Sequence, residues 1–106
     1  MARYILIDSN SGYIFGDTAD FANGRSDLTP VEAARLLDES IGEHGRAYVE
    51  CSSDPKSTVT GYHIYRADVR GSEAVPVVHD GQDSDTISEV MELCDYVAFV
   101  ECRSGE

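Results

Sequence analysis

The sequence predicts an α+β two-layer sandwich, a mostly antiparallel sheet with two helices on one face. Three observations carry that expectation. Two segments place apolar residues at helical spacing, several short runs are rich in β-branched and aromatic residues, and Gly, Asn, Ser or Pro separate them. At 106 residues the chain is expected to form one domain over residues 1–106. Its 42% hydrophobic content runs the whole length, so the negative charge belongs on a folded surface rather than on a disordered acidic tail.

Arg3 to Asp8 and Tyr13-Ile14-Phe15 are strand-like runs joined by Ser9-Asn10-Ser11-Gly12, a hairpin signal because Asn and Gly tolerate positive φ. Tyr4, Ile5, Leu6 and Ile7 put apolar groups on both faces, which predicts a central strand. Asp17 to Asp27 reads as a polar loop. Thr29-Pro30-Val31-Glu32 then combines a cap, a proline at the first helical position and a glutamate three residues after the cap. The helix is expected to run to about His44, with Val31, Ala34, Leu37 and Ile41 as its buried stripe and Gly42 and Gly45 at its end.

Arg46 to Cys51 and Val59 to Ala67 read as two strands joined by a hairpin-length loop, with Cys51 opposite Val59. Ala74 to His79 contains Pro76 and is expected to be an edge strand or connector. Asp83 to Thr86 offers caps for a second helix whose stripe is Ile87, Val90, Met91 and Cys94. Tyr96 to Cys102 is apolar at both parities and is expected to be a central strand. With the opening hairpin as an added N-terminal strand, the element order resembles the ferredoxin-like split β-α-β-β-α-β arrangement.

The familiar catalytic signatures are absent: the chain contains no glycine-rich phosphate loop, G-x-S-x-G, H-E-x-x-H or C-x-x-C. Cys51 with His63 is the one nucleophile and base pair on adjacent expected strands. In the expected register His63 lies opposite Ala47, about 13 Å from Cys51 along the strand, too far for proton transfer. Asp80, Asp83, Asp85 and Glu89 crowd a helix start, but Gly81 and Met91 fall at the wrong places for a calcium loop, so capping is expected instead of a metal. Neither His44 nor His79 has ligands at metal spacing. Cys51, Cys94 and Cys102 are odd in number and widely spaced, as reduced thiols in a cytoplasmic protein would be. No cofactor is expected. No apolar run reaches the roughly 20 residues that span a bilayer.

The charge is the unusual feature. Twenty acidic and eight basic residues give −12, and from Gly71 to Cys102 there are eight acids and no Lys or Arg. Asp85, Glu89 and Glu92 line up on the second helix opposite its apolar stripe. Glu32, Glu39 and Glu43 form a similar stripe on the first, interrupted by Arg35, with Asp38 alongside. Two helices on one sheet face would set these ridges side by side. Like charges at this spacing destabilise a helix by a few tenths of a kcal/mol, so solubility or recognition has to offset them.

The expected function is therefore a non-enzymatic, acidic protein-binding module that blocks a basic, nucleic-acid-handling partner, with Glu32, Glu39, Glu43, Asp85, Glu89 and Glu92 as its binding residues. Direct binding to nucleic acid or membrane is disfavoured by the same charge, and a homodimer is left open. In size, charge and lack of motifs the chain resembles phage- or plasmid-encoded inhibitors of bacterial defence systems, including anti-CRISPR and antirestriction proteins. That resemblance lies in composition and implies a nucleic-acid mimic without assigning residues. The alternative is a small-molecule-binding regulatory domain with Tyr62, His63, Tyr65, Arg66 and Tyr96 at its site. An enzyme would require Cys51, His63 or the Asp80 to Asp85 loop to converge.

Overall fold

The computed structural model describes residues 3–22, 27–51, 59–69, 71, 75 and 84–103. They form β1 (Tyr4–Asp8), β2 (Ile14–Asp17), α1 (Thr18–Phe21), α2 (Pro30–Ser40), β3 (Ala47–Cys51), β4 (Gly61–Arg66), α3 (Ser84–Leu93) and β5 (Asp95–Arg103). The five strands make one antiparallel sheet in the order β2-β1-β4-β5-β3. The α+β class and the antiparallel sheet are as expected, and β1 and β5 are both interior strands. Both hold apolar groups on their two faces, which only an interior strand covered on both sides can bury.

Three finer expectations fail. The loop after Cys51 does not close a hairpin, because β5 inserts between β3 and β4 and pairs with both. A βαβ unit needs parallel strands. Here β4 and β5, the strands flanking α3 in sequence, are adjacent and antiparallel, while β2 and β3, which flank α2, run in the same direction but lie at opposite edges of the sheet. The split β-α-β-β-α-β arrangement is therefore not formed.

The third concerns the helices, which lie on opposite faces. Side chains alternate along a strand. Tyr4 and Leu6 of β1, Tyr62 and Ile64 of β4, and Val100 and Cys102 of β5 pack with Ala33, Ala34 and Leu37 of α2. Ile5 and Ile7, the alternate residues of β1, pack instead with Val90 of α3 and with Cys94 just after it. The sheet and α2 form the principal pair of layers, with α3 on the reverse side.

Local chemistry accounts for the helix limits. Thr29 accepts from the Glu32 amide and the Glu32 carboxylate accepts from the Thr29 amide, the expected capping box with Pro30 behind it. Gly42, at φ 91°, ends α2 in the left-handed region, so the helix stops at Ser40 short of His44. Ile41 consequently leaves the stripe and is exposed, while Ala33 and Asp38 are buried. Asp17 to Phe21 is not a loop. Fully buried Asp17 caps α1 by accepting from the Ala19 amide and takes a forked ion pair from Arg3, with Nη2 at 2.6 Å. The expected segment Ala74 to His79 and the Asp80 to Asp83 turn lie outside the described residues except for Val75, a buried residue whose carbonyl accepts from Arg3.

Candidate functional site

The two expected acidic ridges meet different fates. The carboxylates of the first ridge are each engaged locally: Glu32 in the capping box, Glu39 with Arg35 at 3.2 Å and Glu43, beyond the end of α2, with Arg46 at 3.2 Å. Asp38, expected alongside the ridge, is fully buried. It accepts from the hydroxyls of Tyr62 at 2.6 Å and Tyr48 at 2.7 Å, with Arg46 at 3.7 Å. A carboxylate satisfied this way ties the end of α2 to β3 and β4 and is removed from any external surface. Burial, reinforced by the same carboxylate, raises both tyrosines well above their ordinary pKa and pushes the Cys102 thiol up to about 12.

On α3, Asp85, Glu89 and Glu92 are all exposed. The helix carries neither Lys nor Arg. The opposite-face packing separates this ridge from that on α2, so the continuous two-helix surface does not exist. One exposed acidic helix does.

Beside it lies a feature the sequence did not disclose. β5 carries a bulge: Ile64 faces Ala98, but Tyr65 faces Tyr96, leaving Val97 as the extra residue. Without it Tyr65 would face Val97 and Tyr96 would point with Ala98 toward α2. The bulge turns Tyr96 onto the α3 side, where it joins Tyr65 and His63. The rings form a chain with centroid separations of 5.1 Å from Phe99 to His63, 5.9 Å from His63 to Tyr96 and 5.2 Å from Tyr96 to Tyr65, all tilted or edge-on. His63 Nδ1 and the Tyr96 hydroxyl share a hydrogen bond of 3.2 Å. His63, Tyr65, Tyr96 and Met91 line an open recess of about 320 Å³. Met91, expected in the buried stripe of α3, is 51% exposed and Tyr96 is 38% exposed.

Of the residues named for a small-molecule site, the structure thus unites His63, Tyr65 and Tyr96. Tyr62 faces α2 on Asp38, and Arg66 forks onto Asp68 at 2.6 and 3.1 Å, holding that carboxyl below its usual range. A second recess of about 590 Å³ sits at the β2 edge, lined by Phe15, Gly16, Asp20, Phe21, Leu37, Ser40 and Ile41.

Cys51 and His63 share a face but flank Phe99, one on each neighbouring strand. Two strand spacings separate their backbones by about 9–10 Å, and the Phe99 ring packs against His63 with centroids 5.1 Å apart. The expected register is not formed: the two residues lie on either side of Phe99 rather than four residues apart along a hairpin. All three cysteines are free thiols. Among the described residues no group of three or more His, Cys, Asp or Glu is placed to hold a metal ion, and no helix is long and apolar enough to cross a membrane.

In comparison with known proteins, no family model, curated protein or solved structure matches the chain.

Proposed function

We propose that the protein is a non-enzymatic, acidic binding module of the cytoplasm that docks on a basic, nucleic-acid-handling protein and competes with its nucleic acid. The observation that carries this reading is α3: three exposed carboxylates at spacings of four and three, in a stretch from Gly71 to Cys102 that has eight acids and no Lys or Arg. Such a ridge offers regularly spaced negative charge to a groove built for phosphates and accelerates encounter with it. Glu89 and Glu92 are the principal contacts, with Asp85 extending the ridge. Glu32, Glu39 and Glu43 are satisfied within the fold and contribute only to the overall field.

The test is capture of partners from host lysate at low and moderate salt, followed by affinity measurement with the double variant Glu89→Lys, Glu92→Lys. The expected result is a salt-sensitive basic partner whose affinity drops at least tenfold for the variant, with displacement of its nucleic acid by the native protein. Unchanged affinity across the salt series removes α3 as the interface.

A second reading is favoured by the recess at the β2 edge. Phe15, Phe21, Leu37 and Ile41 give it apolar walls, and Asp20 supplies one charged group, a combination suited to a small apolar cation. A thermal-shift screen of amphipathic amines tests it: stabilisation lost in Asp20→Asn supports a regulatory ligand site, and no stabilisation by any of them rejects it.

A further inference from the structure

We propose that the recess of His63, Tyr65, Met91 and Tyr96 is a receptor for an arginine side chain of the basic partner, an inference that rests on the α3 reading and names the group it recognises. Ring faces carry negative quadrupole charge, and a guanidinium placed over them is attracted. The tilted and edge-on packing of His63, Tyr96 and Tyr65 keeps the rings from covering one another face to face.

Charge complementarity selects a cation over an apolar or anionic occupant. Met91 is the recess wall contributed by α3, and Glu92 follows it about 100° around the helix axis. The exposed ridge thus begins next to the recess wall on the same helix. Its aliphatic stem can lie on Met91 and its planar head on the tyrosines, a division of labour suited to amphipathic side chains. Arginine is preferred over lysine because its guanidinium is flat, more weakly hydrated and stacks on rings. At about 320 Å³ the open recess is at the low end for ligand pockets, a size suited to one side chain.

The experiment titrates the full chain with an octa-arginine peptide and a matched octa-lysine peptide at fixed low salt, following the Met91 methyl by NMR and affinity by calorimetry. The native protein is expected to bind octa-arginine more tightly and to show a shift of the Met91 methyl with that peptide. The variant Tyr65→Leu, Tyr96→Leu is expected to lose about 3- to 30-fold in octa-arginine affinity and with it the preference over lysine. The variant Glu89→Gln, Glu92→Gln should weaken both peptides alike. An unchanged arginine preference in the folded ring variant overturns the receptor while leaving the acidic ridge standing. If the ring variant does not fold, an unmoved Met91 methyl in the native protein overturns it just as well. Failure of both peptides to bind the native protein overturns both readings.

Discussion

Asp38 and Asp17 are the two residues at which local pattern and final position diverge most. Each stands in a polar stretch, yet each is fully buried and supplied with donors, Asp38 by two tyrosine hydroxyls and Asp17 by Arg3 and an amide. Losing one such donor to a charged acceptor costs about 1.5–3 kcal/mol. Tyr62→Phe is accordingly expected to lower unfolding free energy by that amount in a urea titration, and a change below about 0.5 kcal/mol would show the bond to be worth no more than a surface contact. The same cluster sets an alkaline limit. Burial holds the Cys102 thiol at about 12 in the folded chain, above its unfolded value of about 8.5. The stabilisation is complete below the unfolded value. As pH rises toward 12, the unfolded chain releases the proton that the folded chain still binds, so stability falls through that window. Tyr48 and Tyr62, also raised, steepen the fall above about pH 10. Urea midpoints measured from pH 8 to 10.5 should decline, and less steeply in Cys102→Ala; parallel curves would rule out the thiol as a contributor.

At the scale of elements, the sheet depends on a close approach that only glycine permits. A Cβ at Gly61 would collide with the Val100 carbonyl and stand 2.5 Å from the Phe99 ring, at the junction where β4 meets β5. Gly61→Ala is expected to cost about 1–3 kcal/mol through forced displacement and to move the His63 and Phe99 ring resonances together. A variant as stable as the native chain would mean that the strands part without penalty. Helix α2 shows how much of an element is legible in sequence. Its capping box is visible in Thr29-Pro30-Val31-Glu32 and forms as read, because capping is decided within one turn of chain. The far end departs from the expected run to about His44, and Ile41 from the stripe, because the left-handed backbone at Gly42 ends the helix at Ser40. In α3 the spacing of Ile87, Val90 and Cys94 marked the core side, whereas Met91 at its flank faces the recess rather than the core. Periodicity locates the centre of a buried stripe better than its margins, since the margins depend on how wide a neighbouring surface happens to be.

For the whole molecule, a net charge of −12 on 106 residues implies self-repulsion in the compact state. Adding sodium chloride from about 0.02 to 0.5 M shortens the screening length from over 20 Å to about 4 Å and is expected to raise the melting temperature. A gain of about 1 kcal/mol would appear as a rise of about 4–8 °C. A fall would mean that pairs such as Arg3–Asp17 and Arg46–Glu43 outweigh the repulsion. The acidic character, the α+β class, the two longer helices and the interior positions of β1 and β5 were all readable from the residues, because composition, capping and two-sided burial are properties of short segments. Strand order, the face on which each helix rests and the bulge that brings Tyr96 to Tyr65 and His63 were not. The apolar residues at both parities of β1 could bury a helix on either side, and nothing local fixes which strand β5 will join. Those choices are made by packing between segments far apart in the chain, and they decide that one acidic ridge stands beside an aromatic recess while the carboxylates of the other are engaged locally on the opposite side of the sheet.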